Sequence, residues 1–349
     1  MQLEDFGLSG GTRKTLVILG AGASRGCSLV EDGVNPLPPL DLDFFQQVSR
    51  LPDSEAAEKL LAFVRAEYGH ELRLSMEQFF SEADYTNRFH TELNVDRGAR
   101  IKKFQDALEN FHSAVADLLR LLANGDCQWH QRIIDRLGVG DSIISFNYDC
   151  IVDRALKTNG GNRWDPERGG YGFEISGDID AWRTATRGQP PKSSIQLLKM
   201  HGSINWNSSK KKVRLVSDLS AVQSTKGSII PPTWFKELTE EPYASIWKIA
   251  RLAVRSARIL IVVGYSVPQT DLFSQSLLKV EAGSKNRKEK LDALVLVNPD
   301  RAARRKFADL VSRGLEPATR ILEYNSLEQL YERLTAQNQK GQDTVKSAG

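Results

Sequence analysis

Cysteine is scarce in this chain, and its scarcity excludes whole classes of protein. Cys27, Cys127 and Cys150 are the 3 cysteines in 349 residues. They are odd in number, far apart, and form no CxxC pair, which excludes a zinc ribbon and argues against a disulfide framework. A reducing, cytoplasmic setting fits that usage. Charge of one sign is also lacking. The net charge is +3, too small to imply nucleic acid by itself. Short basic runs at 210–212 and 304–306 lack interleaved aromatics, so direct nucleic-acid binding is not expected. No apolar run approaches the roughly 20 residues that a membrane span needs. The opening MQLEDFGLSGGTRK carries acidic residues and no apolar h-region, so it does not read as a signal peptide. Internal repeats are absent. What remains is ordinary for a soluble globular chain, with 40% apolar and 26% charged residues, and it is long enough to bury a full core.

The most informative stretch is TLVILGAGAS at 15–24. Four apolar residues read as a buried parallel strand, and the glycines read as the turn after it. Gly20 and Gly22 lack a Cβ, so a phosphate can come close to the backbone. A helix beginning near Ser24 would aim its N–H groups and dipole at an anion. A nucleotide pyrophosphate site and a plain tight turn are both open from this stretch alone. The GxGxxG fingerprint is not met, because Arg25 stands where its last glycine belongs and Gly26 comes one place late. Asp41 and Asp43 lie near the spacing of the acidic ribose ligand, but they follow the proline run NPLPPL, a loop rather than a strand. A plain dehydrogenase domain is disfavoured.

Along the chain, 1–14 reads as an arm. Asp41 or Asp43 is placed to cap a short helix with Phe44, Phe45 and Val48 inward. Helical spacing predicts further helices over 53–68, 75–83 and 96–122, so 41–137 reads as a helical insertion without a convincing strand. Strands return at 141–146, 194–200, 258–263, 294–297 and 319–324, with helices at 150–157, 242–257 and 326–335. Residues 158–193 read as a long irregular excursion, the run at 210–212 as a solvated basic turn, and 227–234 as a rigid connector. The polar tail at 337–349 reads as disordered. The fold class is α/β: a Rossmann-like parallel sheet with helices on both faces and a helical insertion.

Each strand is followed by residues of chemical interest. Gly20, Ala21, Gly22 and Ser24 follow the first, Asn147 and Asp149 another, then His201, then Gly264 with Ser266, then Asn298. Ligands of open parallel sheets bind outside the carboxyl ends of the strands, so these five positions converge in one crevice. Taken singly they have bland readings. An asparagine at a strand end is usually a turn residue, and a lone histidine is usually a satisfied structural group. His70, His90, His112 and His130 fall in the helical block and receive no role.

In this order the segments resemble the sirtuin family, in particular its bacterial NAD-consuming anti-phage branch. GAGAS resembles the glycine loop, and 33–45 the cofactor loop in position. SFNYD resembles the segment with the catalytic asparagine, and LKMHGSINW the catalytic-histidine segment. VVGYS, with Pro268 and Asp271, resembles the later glycine/serine loop, and Val297-Asn298 the adenosine segment. The matching pieces span 15–300 with long unmatched inserts between them, and they make 15–336 a sirtuin-like NAD-binding catalytic domain.

The resemblance implies NAD+ as substrate, bound without a metal, and catalysis by Asn147 and His201. Asn147 would bind the nicotinamide ribose and position water, and His201 would act as general base. Gly20, Ala21, Gly22 and Ser24 would cradle the pyrophosphate. Gly264, Ser266 and Asn298 would line the adenosine side. Asp149 would orient either catalytic group or cap the following helix, and Tyr265 would form a pocket wall. Sirtuin deacylases carry a four-cysteine zinc module after the histidine segment, yet no cysteine follows Cys150. That favours NAD+ hydrolysis to nicotinamide and ADP-ribose over protein deacylation, ADP-ribosyl transfer or a non-catalytic nucleotide sensor. Relatives in that branch act in anti-phage defence by depleting NAD, which implies control through a homo-oligomer or a separate sensor or ATPase of the HerA type.

Overall fold

The computed structural model describes residues 14–27, 35–92, 98–122, 125–184, 192–209, 212–230, 240–269, 271–284 and 290–333. Most of the expected arm and the whole expected tail lie outside these residues. The strands are β1 (Thr15–Leu19), β2 (Ser142–Ser145), β3 (Ser176–Gly177), β4 (Gln196–Lys199), β5 (Trp206–Ser209), β6 (Lys212–Leu215), β7 (Ile259–Val263), β8 (Ala293–Val297) and β9 (Arg320–Tyr324). The α-helices before β2 are α1 (Ala21–Arg25), α2 (Phe44–Val48), α3 (Glu55–Tyr68), α4 (Met76–Glu92), α5 (Ala99–Leu122) and α6 (Gln128–Asp135). Those after it are α7 (Ile151–Asn159), α8 (Tyr243–Ser256), α9 (Leu272–Leu277) and α10 (Arg301–Val311).

Six strands form one parallel sheet in the order β4-β2-β1-β7-β8-β9. Counted in chain order, that is the 3-2-1-4-5-6 arrangement of a Rossmann-like sheet. Every residue of β1, β7 and β8 is buried, so helices and loops cover both faces. Their aliphatic runs follow from that, because a strand with no wet face has no polar alternation. The strand order reverses between β1 and β7, where Leu16 pairs with Leu260. The two loops that leave these strands, at Gly20 and Gly264, therefore flank the switch-point crevice.

Between β1 and β2 the described residues hold helices and no strand. This helical block has an aromatic centre. Phe45 meets Phe79 with ring centroids 5.4 Å apart, Phe44 meets Phe111 at 5.4 Å, and Phe80 meets Phe111 at 5.2 Å. Such pairs add about 0.5–1.5 kcal/mol each beyond the area they bury. The inward placement of Phe44, Phe45 and Val48 is as expected. The capping role of the preceding acids is not. The Asp41 carboxylate accepts the Glu77 N–H at 2.9 Å, and Asp43 accepts the Leu40 N–H at 2.7 Å. Asp41 thus ties the proline loop to the start of α4 instead of capping α2. Helix α4 also runs past the expected end at 83; its polar continuation carries an Arg88–Asp84 ion pair at 3.0 Å and accepts a hydrogen bond from Gln105 on α5 at Asn87.

A second, three-stranded sheet in the order β3-β6-β5 was not expected. Here β5 and β6 pair antiparallel and β3 joins β6 in parallel. The expected basic turn loses Lys212 to β6, while residues 210 and 211 lie outside the described residues. Of the basic run at 304–306, Arg304 is 9% exposed and turned inward, with its guanidinium on the Asn298 carbonyl, Glu323 and Asn325. Among the described residues, no helix is long and apolar enough to cross a membrane.

Candidate functional site

Residues from the ends of five neighbouring strands line one cavity of about 2090 Å³. Gly20, Ala21, Gly22 and Ser24 come from the turn after β1, and Asn147 and Asp149 from the turn after β2. Gly264 and Ser266 enter from the loop after β7, Asn298 from the end of β8, and His201 from the loop after β4. Ten expected positions therefore face a common space. Drug-sized ligands usually occupy about 300–1,000 Å³, so the cavity has room for an extended molecule. Its far wall is contributed by the helical block, where Met76, Glu77 and Ser81 of α4 face it. Sequence spacing alone did not assign the insertion to the site.

The glycines have a reason beyond ligand approach. The Gly20 N–H donates to the Val263 carbonyl and the Gly22 N–H to the Gly264 carbonyl, each at 2.9 Å. A Cβ on Gly20 would lie 2.6 Å from the Gly264 oxygen, and one on Gly264 would lie 2.1 Å from the Ala23 nitrogen. Gly264 also holds φ at +60°, where a side chain is strained. The two loops meet backbone to backbone, which only glycine permits. The helix that follows starts at Ala21 and is five residues long. It starts before the position near Ser24 read from the sequence, and the Gly20, Gly22 and Ala23 N–H groups are engaged with protein carbonyls. Gly264→Ala should therefore lower unfolding free energy by about 2–5 kcal/mol, combining left-handed strain with overpacking. Gly138→Ala, whose Cβ meets nothing within 4 Å, should stay within about 0.5 kcal/mol of wild type. Urea unfolding of both variants checks the contrast.

Asn147, Ser24 and Asp149 form one hydrogen-bonded chain. The Asn147 amide donates to the Gly20 carbonyl and to Ser24 Oγ, each at 2.9 Å. Ser24 Oγ in turn donates to Asp149 at 2.7 Å. Both amide hydrogens of Asn147 are thus used, and its carbonyl oxygen is the group it presents as an acceptor. Asp149 also accepts the Ile151 N–H at 3.0 Å. It thus takes the first N–H of α7 from just outside the helix, whose N-cap is Cys150, and holds Ser24 rather than Asn147 or His201 directly.

His201 is 6% exposed and lies between Phe146, 5.3 Å away, and Tyr148, 6.3 Å away, by ring centroids. Its backbone is fixed by the Ile230 N–H on its carbonyl at 2.8 Å. Its Nε2 lies 3.4 Å from an Asp271 oxygen. Tyr265 stacks on Phe146 at 4.6 Å and lines the cavity, as expected of a wall. Burial holds the phenols of Tyr148 and Tyr265 well above their ordinary range, so both stay neutral. Asn298 accepts the Asp300 N–H through its side-chain oxygen at 2.9 Å, leaving its amide hydrogens as what it offers the cavity.

Two of the histidines without a role are internal. His112 bonds Thr225 at 3.0 Å, and burial pulls its pKa down to about 4. His130 lies 2.9 Å from Cys127 Sγ. There a bond from Cys27 and the imidazole draw the Cys127 thiol down, against burial. The side chain of His90 lies outside the described residues. The three cysteines are buried and form no disulfide. Among the described residues no group of three or more His, Cys, Asp or Glu side chains could hold a metal ion.

Residues 141–317, more than half of the chain, match the family model described as a SIR2-like domain. Among solved structures, a Sir2 homologue in complex with NAD is 17% identical, with 94% of this chain and 90% of that chain covered and a TM-score of 0.42. A mutant Sir2 homologue in complex with 2′-O-acetyl ADP ribose is 15% identical, with 94% and 93% covered and a TM-score of 0.41. No curated protein matches the chain.

Proposed function

The chain belongs to the SIR2-like domain family, and from that premise we propose that it is an NAD+ hydrolase, cleaving the nicotinamide–ribose bond to give nicotinamide and ADP-ribose. The observation that carries this reading is the convergence of Asn147 and His201 on the cavity that the glycine turn also lines. The dinucleotide lies across the switch point between β1 and β7. The turn of Gly20, Ala21, Gly22 and Ser24 lets its pyrophosphate approach the backbone closely, although the Gly20 and Gly22 N–H groups are themselves on protein carbonyls, while Gly264, Ser266 and Asn298 hold its adenosine half. At the other end, the Asn147 carbonyl accepts from the attacking water or a ribose hydroxyl. Nicotinamide leaves with the electron pair of the glycosidic bond, water adds to the anomeric carbon, and His201 takes the proton that water gives up. The flanking Phe146 and Tyr148 rings limit entry of bulk water, which suits an oxocarbenium-like transition state.

Water as acceptor is favoured over acyl-lysine, because no cysteine lies between His201 and Gly264 to form a zinc module. In the cell this activity would serve anti-phage defence by depleting cytoplasmic NAD. An uncontrolled NAD+ hydrolase is lethal to its host, so control falls to self-assembly or to a separate sensor or ATPase.

Purified full-length protein should convert NAD+ to equimolar nicotinamide and ADP-ribose with no protein acceptor present, followed by chromatography of the products. Turnover only when an acylated peptide is added would make it a deacylase instead. ADP-ribose found on protein would make it a transferase, and tight NAD+ binding with no product would make it a sensor.

A further inference from the structure

Asp271 is 3% exposed, and the site as built so far gives it no task. It follows the loop that leaves β7, where Val267 adopts φ of +55°, and it sits at the N-cap of α9. One carboxylate oxygen accepts the Ser274 N–H at 3.3 Å. Capping requires no more than that. The second oxygen accepts the Ser274 hydroxyl at 2.5 Å and lies 3.4 Å from His201 Nε2. Ser274 is itself fully buried, so the oxygen that faces the imidazole is held in place by the serine hydroxyl. The contact links the loop after β4 to the loop after β7, two segments on opposite sides of β1 and β2 in the sheet order.

We propose that Asp271 is a positioning residue for His201: its carboxylate keeps the ring's proton on Nε2, fixes the ring against the cavity and strengthens it as a base. A neutral imidazole carries one N–H and one lone pair, and a carboxylate facing Nε2 selects the tautomer with the hydrogen there. A fixed negative charge beside the ring also favours its protonated form, so the ring binds a proton more tightly. The 3.4 Å separation is that of a charge pair, and such contacts shorten when substrate closes the site. Among the described residues, ionisable groups near the ring include Tyr148 after β2, Tyr243 at the start of α8 and Tyr265 after β7. All three phenols are driven up by burial and stay neutral. Asp41 and Glu77 act on Tyr148 from the helical block. Asp271 is the carboxylate that the structure sets against the imidazole.

The inference rests on the hydrolase reading for its kinetic arm, and a second arm reads the contact directly. Histidine-labelled full-length protein is titrated by NMR, with the His201 signal assigned by its loss in His201→Gln. Asn at an N-cap preserves the helix start, so Asp271→Asn is the informative variant. The His201 titration should move down by about one pH unit in Asp271→Asn. Its kcat should fall about 10–100-fold, the scale on which carboxylates behind histidine act, with KM for NAD+ little changed. The acid limb of the kcat profile should move down with the NMR titration. Asp271→Glu, which restores the charge, should recover part of both. An unchanged His201 titration in Asp271→Asn overturns the inference, as does a loss of stability with no change in either titration or kcat. Absence of NAD+ turnover in the wild type would overturn the hydrolase reading alone, since the NMR arm is independent of it.

Discussion

His201→Ala and Asn147→Ala will each lower NAD+ turnover by about 10²–10⁴-fold, the contribution of a positioned acid–base group. Under the proposed hydrolysis the two losses have different origins. Without the imidazole at 201, the attacking water has no acceptor for its proton in a pocket walled by Phe146, Tyr148 and Tyr265. Without the amide at 147, the carbonyl that orients water or ribose is gone, and Gly20 and Ser24 lose a shared donor. Each lost bond costs about 0.5–1.5 kcal/mol of stability, which leaves a domain of this size folded. His201→Gln serves as a second variant, because alanine there removes the neighbour of the buried Asp271 carboxylate. The exposed His70 lies in the helical block, and His70→Ala should turn over NAD+ at the wild-type rate. The effects act together on one event, so the double variant should lose little more than either single one. Equal NAD+ loss in all these proteins, with circular dichroism confirming their folds, would remove Asn147 and His201 from the reaction.

The parts of this architecture that can be read from the chain are those where one physical signal dominates a short window. LVIL, ILIVV and ALVLV are continuous aliphatic runs because β1, β7 and β8 are buried on both faces, and no other element explains them as well. Phe44, Phe45, Phe79 and Phe80 point inward at helical spacing for the same reason. The hairpin of β5 and β6 carries no such signal. WNSS has one large apolar residue, and the lysines of the run at 210–212 read as solvated whether or not a strand is present. Helix α4 outran its apolar stripe, with an Arg88–Asp84 ion pair and a Gln105–Asn87 hydrogen bond from α5 along its polar second half. Asp41 went to a distant helix start because the choice of acceptor is tertiary. At the site, the ends of the strands pointed to Asn147, His201 and the glycines, but which atoms remain for a substrate could not be read. That the Asn147 hydrogens are engaged by Gly20 and Ser24 is a contact across 127 and 123 residues of chain. Asp271 stands beside the VVGYS segment with no sequence signal for a task, since its link to His201 spans two loops.

Lys199→Met will destabilise the protein by about 3–5 kcal/mol, the cost of stranding a buried charge. Lys199 closes β4 two residues before His201, and it is 0% exposed. Its ammonium donates to the Asp153 carboxylate at 3.0 Å and to the Asp149 carbonyl. Asp153, also 0% exposed, accepts the Tyr171 hydroxyl at 2.5 Å through its other oxygen. Remove the ammonium and that carboxylate keeps a phenol as partner but no counter-charge. Lys199→Met with Asp153→Asn should recover most of the loss, because a neutral amide can still accept from Tyr171. The pH dependence carries a sign. Burial alone would lower the Lys199 pKa, but Asp153, Cys150 and Asp149 outweigh it and hold it above 10.5. A raised folded-state value means that the pair's stabilisation is complete below the unfolded-state pKa of about 10.4 and fades as pH rises through the higher folded value. Wild-type stability should therefore fall in the alkaline range above about pH 10.4, and the double variant should lack that fall. The network also reaches the site. Asp149, which Lys199 holds by its carbonyl, orients Ser24 and through it the Asn147 amide. Lys199→Met should accordingly lower kcat at temperatures where the fold persists, and the double variant should restore stability more fully than turnover, as unfolding and NAD+ assays on the same samples would reveal.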